Sequence, residues 1–343
     1  MKNYLPVLVF VVLLVTMQLR AQETYSVVWY NVENLFDTQN DSLKRDDEFT
    51  PEGPRAWNNY KYRKKLLHLS KTLIALGKWS APDIIGMCEV ENKEVLKDLI
   101  YFTPLKYHSY AIVHYESPDM RGIDVALLYR KDRLALLHSA KLPVQFNDST
   151  SRPTRDILYV SLRLSTTDTL HLFLNHWPSM WGGELTTRPK RMQAARILRR
   201  HIDSLLSLNP QVALLSLGDY NCTPKSPEIT AGLQALTLSS SHPVDSLIYS
   251  LQPQFPKEIT GTHKFHNVWS HLDQIQASGS LLNGKKGIKC EKNYQVAAPD
   301  FMLIKDPDYG GVKPFRTYHG FTYQGGFADH LPLLLYVKTR QRP

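Results

Sequence analysis

The amino-acid sequence predicts an α+β fold in which two sheets pack face to face and helices cover their outer faces. Short apolar runs with the pattern of strands recur along the chain, whereas only two long stretches space their apolar residues like a helix. A carboxylate, amide or imidazole side chain directly follows several of the strand-like runs. Because each sheet must cover its apolar faces, these observations together predict a layered sandwich.

Residues 1–21 have the pattern of a secretory signal segment. Lys2 precedes an uncharged apolar run over residues 5–15, which is shorter than the roughly 20 residues of a membrane-spanning helix. We expect export and removal of this segment, with a retained N-terminal anchor as the alternative because Leu19 departs from the small residues of a usual cleavage site. Residues 22–343 contain no linker, low-complexity tract or repeat, and therefore predict a single domain.

The charge and the cysteines narrow the classes of function. The formal charge is +9, and removal of residues 1–21, which hold two basic residues and no acidic one, leaves +7. This balance favours an anionic partner such as a polyphosphate, nucleic acid or an anionic membrane, without choosing among them. Cys88, Cys222 and Cys290 lack the close paired spacing of a zinc or redox motif, so a cysteine-held metal is not expected.

The first elements are two strands separated by a helix. Residues 25–30 and 83–88 are largely apolar and end next to Asn31 and Glu89, so we expect two buried strands. Between them, residues 60–78 space their leucines at helical intervals among lysines and predict a covering helix.

The middle of the chain predicts an antiparallel meander followed by a second helix, at residues 187–208. The strands of this meander are expected at residues 107–115, 123–130, 135–144, 157–164 and 169–175. Later strands are expected at residues 211–217, 260–266, 271–277, 301–304 and 331–338.

Acidic and amide side chains at the strand ends predict a site for a cation and a phosphate. Glu89 ends an apolar strand, where a carboxylate is costly unless it is paired or binds a cation. Glu91 is a competing candidate ligand because it would face the same side of the strand. The alternative interpretation is that the glutamate forms a salt bridge at an exposed strand end and binds no metal. Asp219 and Asn221 emerge together after another apolar run and can hold water, a hard cation or a phosphate oxygen, unless they serve only a turn.

Two histidines at strand ends predict acid–base chemistry near neutral pH. His176 follows one strand and His330 precedes another. Asp124 and Asp273 are expected within apolar strands and need partners there, and the two histidines are the simplest partners.

These motifs resemble the endonuclease/exonuclease/phosphatase superfamily, which includes DNase I-like nucleases, abasic-site endonucleases, inositol polyphosphate 5-phosphatases and bacterial sphingomyelinases. The similarity spans nearly all of residues 25–340. It is carried by Asn31 in Tyr-Asn-Val-Glu-Asn-Leu, Glu89 in Met-Cys-Glu-Val, Gly-Asp-Tyr-Asn around Asp219, and Asp329-His330. Cys88 and Ala328 replace the glutamine and serine that are common in the family. The second histidine, His176, is typical of the DNase I-like and sphingomyelinase-like branches.

The resemblance implies a four-layer αββα sandwich of mostly antiparallel sheets, with Mg²⁺ or Mn²⁺ as cofactor and possible support from Ca²⁺. It implies that Glu89, with Asn31 and Asp329, holds the cation, and that Asp219 and Asn221 position water and phosphate. It pairs His330 with Asp273 and His176 with Asp124, without deciding which histidine is the acid. Three further side chains are predicted to contact the substrate phosphate, namely Arg121, Arg188 and Asn175. Arg191 is expected to be a solvated helix charge.

We therefore expect an exported, metal-dependent phosphodiesterase of nuclease type. The alternatives are a phosphatase or phospholipase of the inositol phosphatase or sphingomyelinase type, and a noncatalytic binding protein that keeps the fold. The expected partner is a phosphate ester, with nucleic acid as the first candidate; we infer no stable protein partner and expect a monomer.

Overall fold

The computed structural model describes residues 22–339 except 79, 147, 149–150, 165–167 and 239–241. The predicted signal segment, residues 1–21, lies outside the described residues, so export stays a prediction. Within the described part of the chain, no helix is both long and apolar enough to cross a membrane.

The described helices are few and the strands are many. The helices are α1 (Asn59–Leu76), α2 (Lys93–Tyr101), α3 (Glu184–Leu208) and α4 (Gly279–Asn283). The strands are, in order, β1 (Thr24–Leu35), β2 (Ile84–Val90), β3 (Tyr110–His114), β4 (Asp124–Arg130), β5 (Ala135–Leu142), β6 (Ile157–Arg163), β7 (Thr169–His176), β8 (Leu214–Asp219), β9 (Leu236–Thr237), β10 (Ile248–Ser250), β11 (Gln252–Gln254), β12 (His263–Phe265), β13 (Val268–Ser270), β14 (Asp273–Ser278), β15 (Ile288–Cys290), β16 (Asn293–Val296), β17 (Leu303–Lys305), β18 (Val312–Pro314), β19 (Tyr318–His319), β20 (Thr322–Tyr323) and β21 (Leu333–Thr339).

Two large mixed sheets form the centre of the molecule, as the predicted sandwich requires. One has the order β11-β16-β21-β1-β2-β4-β3, with β15 also paired to β21, and the other has the order β5-β6-β7-β8-β14-β10-β9. Most neighbours are antiparallel, but the pairs β1–β2, β7–β8, β9–β10 and β11–β16 are parallel. The inner faces of the two sheets pack together in one apolar core. The buried residues of α1 and α2 pack on the first sheet and are continuous with this core, while α3 packs on the outer face of the second sheet.

Gly86 in β2 leaves room for side chains from both sheets. A Cβ atom added to Gly86 in β2 would lie 2.3 Å from Leu174 Cδ2 in β7 and 3.0 Å from the Trp29 ring. The missing side chain therefore lets Trp29 and Leu174 fill the space between the sheets.

The predicted single meander is wrong in its connectivity. β3 and β4 belong to the first sheet, whereas β5, β6 and β7 belong to the second. The alternation of apolar residues reports that a segment is extended and half-buried, but it does not report which sheet the segment joins.

Smaller differences concern element boundaries. The sequence did not predict the short helix α2, and the expected strand at residues 301–304 is instead a single helical turn followed by β17. All three cysteines are buried and free.

Candidate active site

Strand direction gathers the polar strand-end residues at one end of the sandwich. β1 and β2 are parallel, so Asn31 and Glu89 leave the first sheet at the same end. β7 and β8 are parallel in the second sheet, and their last residues pair His176 with Asp219. β14 runs antiparallel to β8, so its first residue, Asp273, pairs with Asp219 at this end too.

The amide of Asn31 joins the two sheets across this end. Its Nδ2 donates to Glu89 Oε1 at 3.3 Å and to Asp219 Oδ2 at 3.1 Å. Its Oδ1 accepts the backbone N–H of Glu33 at 3.0 Å. The carboxylates of Glu89 and Asp219 therefore face the same small space from opposite sheets.

A β-bulge aims the carboxylate of Glu89. The pairing of β2 with β4 shifts register between Cys88 and Val90, and Glu89 between them has a positive φ of 63°. Bulges re-aim side chains, and a left-handed backbone at a residue other than glycine is strained and is often found at functional sites. The bulge separates Glu89 from Glu91, whose Oε2 instead accepts the backbone N–H of Asp37 at 2.6 Å.

His330 forms a buried charged pair with Asp273. The His330 Nδ1 lies 2.6 Å from Asp273 Oδ2, and Trp29 Nε1 donates to the other carboxylate oxygen at 2.9 Å. Burial opposes the charge on His330, but the carboxylates of Asp273, Asp219 and Asp329 together outweigh it and raise the pKa of His330 well above its ordinary value. Burial likewise opposes the charge on Asp273, but His330, with hydrogen bonds from Thr262 and Trp29, lowers the pKa of Asp273. The imidazole ring is thus oriented and held as a cation.

His176 has the reverse electrostatic environment. Burial, reinforced by the positive charges of Arg155, Arg121 and His330, lowers its pKa well below the ordinary value. Its Nε2 lies 3.9 Å from Glu89 Oε1 and 3.8 Å from Asp219 Oδ2. The two histidines therefore face the same space with different charges.

Asp219 is the acidic centre of the cluster. Its Oδ2 lies 3.9 Å from His330 Nε2, and its Oδ1 accepts the backbone N–H of Asn221 at 2.9 Å. Burial and the nearby charge of Asp273 raise the pKa of Asp219 to about 7, although His330 opposes this rise. Asn221 has a positive φ of 48° and donates from Nδ2 to the backbone carbonyl of Trp177 at 3.0 Å.

Asp329 lies in a network of charges that the sequence did not reveal. Arg316 Nη2 donates to Asp329 Oδ2 at 2.8 Å, and Arg316 Nε lies 3.6 Å from Glu33 Oε1. Behind them, the fully buried Lys65 Nζ is 4.0 Å from Glu33 Oε2 and donates to Thr317 Oγ1 at 2.6 Å. Only the position of Glu33 within the first motif, two residues after Asn31, signalled part of this network.

Arg155 is a second residue that sequence reasoning missed. It is buried, donates to Asp119 Oδ2 at 3.1 Å and donates to the backbone carbonyl of Trp177 at 2.7 Å. The loop after His176 is thereby tied to the second sheet. No pattern around residue 155 distinguishes it from a surface arginine.

The predicted pairing of His176 with Asp124 is wrong. Among the described residues, His176 Nδ1 is buried without a hydrogen-bond partner, and no ion pair joins it to Asp124. Asp124 instead accepts the backbone N–H of Ser117 at 2.9 Å and faces His114. The carboxylate of Asp124 is thus engaged by the end of β3 and the segment that follows it.

Two of the predicted phosphate contacts have structural roles instead. Asn175 is fully buried, and its Nδ2 donates to Ser216 Oγ at 3.0 Å and to the carbonyls of residues 173 and 217. Arg188 pairs with Glu184 at 2.8 Å on α3. A side chain whose polar atoms are already bonded inside the protein is not free for a ligand.

Of the two remaining arginines, Arg191 is not in solvent as expected, whereas Arg121 is still a candidate phosphate contact. Arg191, expected in solvent, is fully buried, and its Nε donates to Glu228 Oε1 at 3.0 Å. Arg121 is half-exposed, and its Nε lies 3.4 Å from Asp119 Oδ1. Its charge acts on His176, so it stays a candidate phosphate contact.

The donor set at the strand ends fits a hard divalent cation. Glu89, Asp219 and Asp329 offer carboxylate oxygens, which are ligands that Mg²⁺, Mn²⁺ and Ca²⁺ prefer. The amide oxygen of Asn31 accepts the backbone N–H of Glu33 and would join these ligands only if the amide turned, because its Nδ2 faces the carboxylates. The described neighbours that hydrogen-bond to Glu89 are neutral, namely the amide of Asn31 and the backbone N–H of Asn34.

The chain is similar to known proteins along almost its whole length. The model of the endonuclease/exonuclease/phosphatase family matches residues 26–339. A family member from Bacteroides thetaiotaomicron superposes with a TM-score of 0.58 at 12% identity, over 94% of this chain and 100% of that one. A Bacteroides thetaiotaomicron mannosyl-6-phosphatase gives 0.56 at 14% identity, over 91% and 99%. A humanized TDP2 of D. rerio gives 0.55 at 14% identity, over 92% and 99%. A comparison with curated sequences found no match.

These similarities agree with the geometry. The paired mixed sheets and the strand-end cluster define an α+β sandwich protein of the DNase I-like class. The chain belongs to the endonuclease/exonuclease/phosphatase family, whose members generally hydrolyse phosphoester bonds with the help of a divalent metal ion.

Proposed function

We propose that the protein is a metal-dependent phosphodiesterase of nuclease type. The observation that carries the proposal is the convergence of Asn31, Glu89, His176, Asp219 and His330 on one space at the end of the sandwich. The carboxylates can hold a cation, and two histidines lie beside them, one cationic and one neutral. This combination suits the hydrolysis of a phosphate ester.

In the proposed reaction water attacks phosphorus and the ester P–O bond breaks. Asp219, whose pKa is raised to about 7, takes a proton from the water and returns it to the leaving oxygen, which departs as an alcohol. Glu89, Asn31 and Asp329 would hold the cation, Mg²⁺ or Mn²⁺, which when bound neutralises charge on the phosphate and lowers the pKa of water. Asp219 and Asn221 position water and phosphate. His330, kept cationic by Asp273, stabilises the negative charge that develops on phosphate. The neutral His176 donates a hydrogen bond from Nε2 to the same group.

A cavity beside Asp329 favours a substrate with a planar group. It has a volume of about 570 Å³ and is bounded on the side of the site by Arg316 and Asp329. Phe265 and Tyr309 line it and are 61% and 48% exposed. The rings of Phe265 and His266 stack with centroids 4.1 Å apart. Exposed aromatic faces stack nucleobases, which favours a nucleic acid over an inositol phosphate.

The test is hydrolysis by the purified protein of DNA, RNA, bis-p-nitrophenyl phosphate, inositol polyphosphates and sphingomyelin, each with Mg²⁺, Mn²⁺ or chelator. Chelator-sensitive cleavage of DNA or RNA is expected. Glu89→Gln and His330→Ala are each expected to lower kcat at least about 100-fold, because each removes a group that acts on the reacting phosphate.

The control is Glu94→Gln, an exposed residue in the first turn of α2. It is expected to keep wild-type turnover, and both it and Glu89→Gln should keep a melting temperature near that of the wild type. His330→Ala should lower the melting temperature, because it leaves the buried carboxylate of Asp273 without its partner. Activity confined to inositol phosphates or lipid would replace the nuclease assignment. Unchanged turnover in Glu89→Gln would reject the proposed site.

A further inference from the structure

The loop end of β3 and the start of β4 carry a second group of potential metal ligands. We propose that His114, Glu116 and Asp124 form a binding site for a transition-metal ion of the Zn²⁺ type, distinct from the candidate active site. The proposal does not depend on the proposed function. It follows from strand register, burial and the chemistry of the three side chains.

The register of two neighbouring strands places the three side chains together. β3 and β4 are antiparallel, and His114 pairs with Ala126. Continued by two residues, this register sets Glu116 opposite Asp124. His114 and Glu116 are two residues apart in an extended segment, so they lie on the same face as Asp124.

The distances suit a shared ion. One ligand atom from each of the three residues lies within 4.8 Å of the others. His114 Nε2 and Asp124 Oδ2 are 3.3 Å apart, with side chains only 3% and 1% exposed. Neither atom has a hydrogen-bond partner among the described residues. Two buried polar atoms that face each other without a hydrogen bond are costly unless a third group satisfies both.

Nearby cations do not make this third contact. Lys44 Nζ donates to the backbone carbonyls of Ser117 and Asp119, and Lys141 Nζ donates to the backbone carbonyl of Glu116 at 2.9 Å. Asp156 adds a further negative charge near Asp124. The carboxylates thus gain from a bound cation.

The donor set selects the kind of ion. Zn²⁺ accepts both imidazole nitrogen and carboxylate oxygen as ligands, whereas Mg²⁺ and Ca²⁺ prefer oxygen ligands alone. Glu116 is exposed, so the ion can enter from solvent and keep a water ligand. An ion here would fasten β3 to β4 where Asp124 pairs with Val90, one residue beyond Glu89.

The test measures Zn²⁺ binding to the full chain by dialysis and elemental analysis, in saturating Mg²⁺ to occupy the oxygen-rich active site. Wild-type protein is expected to retain one Zn²⁺ more than His114→Ala or Glu116→Gln. Zn²⁺ at 100 times its dissociation constant should raise the wild-type melting temperature by roughly 4 °C, and this rise should vanish in both variants. Co²⁺ in place of Zn²⁺ provides a visible absorption signal that the two variants should lose.

His138→Ala is the matched control, because it removes an exposed histidine from β5. Together with Glu89→Gln, which alters the candidate active site, it should keep the additional Zn²⁺ and the melting-temperature shift. Equal Zn²⁺ content and equal shifts in all five proteins would overturn the proposal and leave His114 and Asp124 as a metal-free ion pair. Glu116→Gln keeps the test decisive if His114→Ala does not fold.

Discussion

The two histidines of the candidate active site differ in charge because their neighbours differ. His330 lies against the buried carboxylate of Asp273, whereas His176 is buried near Arg155 without a carboxylate bonded to its Nδ1. Pairs of titratable groups that are pushed apart in pKa are typical of acid–base sites. The sequence predicted both histidines and the pairing of His330 with Asp273, but the acid predicted for His176, Asp124, faces His114 instead.

The residue-scale prediction concerns Asp273→Asn. Without this carboxylate the pKa of His330 falls, because only Asp219 and Asp329 then oppose the effect of burial. If the cationic form is the active one, activity is lost as pH rises through this pKa, so the alkaline limb of the kcat/KM profile should move to lower pH. The profile is measured with saturating Mg²⁺ between pH 5 and 10. An alkaline limb at the wild-type position would show that the charge of His330 is not required.

A control for this variant separates charge from packing. Trp29→Phe removes the hydrogen bond to Asp273 Oδ1 but leaves the carboxylate in place. It should leave the alkaline limb close to its wild-type position even if its stability decreases.

At the scale of elements, mixed strand direction explains how residues far apart in sequence meet. A purely antiparallel meander would place the ends of successive strands at alternating ends of the sheet. The parallel pairs β1–β2 and β7–β8 instead bring consecutive C-terminal ends together. Apolar periodicity predicted most of these strands but not the parallel pairing, because direction depends on the connections and not on the pattern within a strand.

The element-scale prediction concerns the close approach of β7 and β8. A Cβ atom added to Gly218 would lie 2.6 Å from Asn175 Cβ and 2.7 Å from its carbonyl oxygen. We expect Gly218→Ala to push the strands apart, to lower the free energy of unfolding by about 1–3 kcal/mol and to displace Asp219. Urea denaturation and turnover measure the two effects.

Ser204→Ala on the exposed face of α3 is the comparison for Gly218→Ala. It should change the free energy of unfolding by no more than about 0.5 kcal/mol. Equal stability of the two variants would mean that β7 and β8 tolerate a methyl group at this position.

At the scale of the whole molecule, a net positive charge coexists with an acidic centre at the candidate active site, which Lys65, Arg155 and Arg316 surround. The formal charge is +9, whereas the candidate active site gathers several carboxylates. A positive surface raises the local concentration of a polyanion, and the acidic centre then requires a cation to accept the phosphate.

The whole-molecule prediction follows from the net positive charge, which should attract a polyanionic substrate. For a nucleic-acid substrate, contacts with two phosphates should raise KM about tenfold between 50 and 200 mM NaCl. Bis-p-nitrophenyl phosphate, which makes no extended contact, should show little change over this range. Equal salt dependence for both substrates would argue that the surface charge does not bind a polyanion.

The sequence by itself determined the family, the sandwich and the residues at the strand ends, because apolar periodicity and short polar motifs are local properties. Tertiary structure alone decided that Asp124 faces His114, that Asn175 and Arg191 are internal, and that Lys65, Arg155 and Arg316 surround the site. It also decided the opposite pKa shifts of His176 and His330. These depend on burial and on charges from distant segments, which no local pattern encodes.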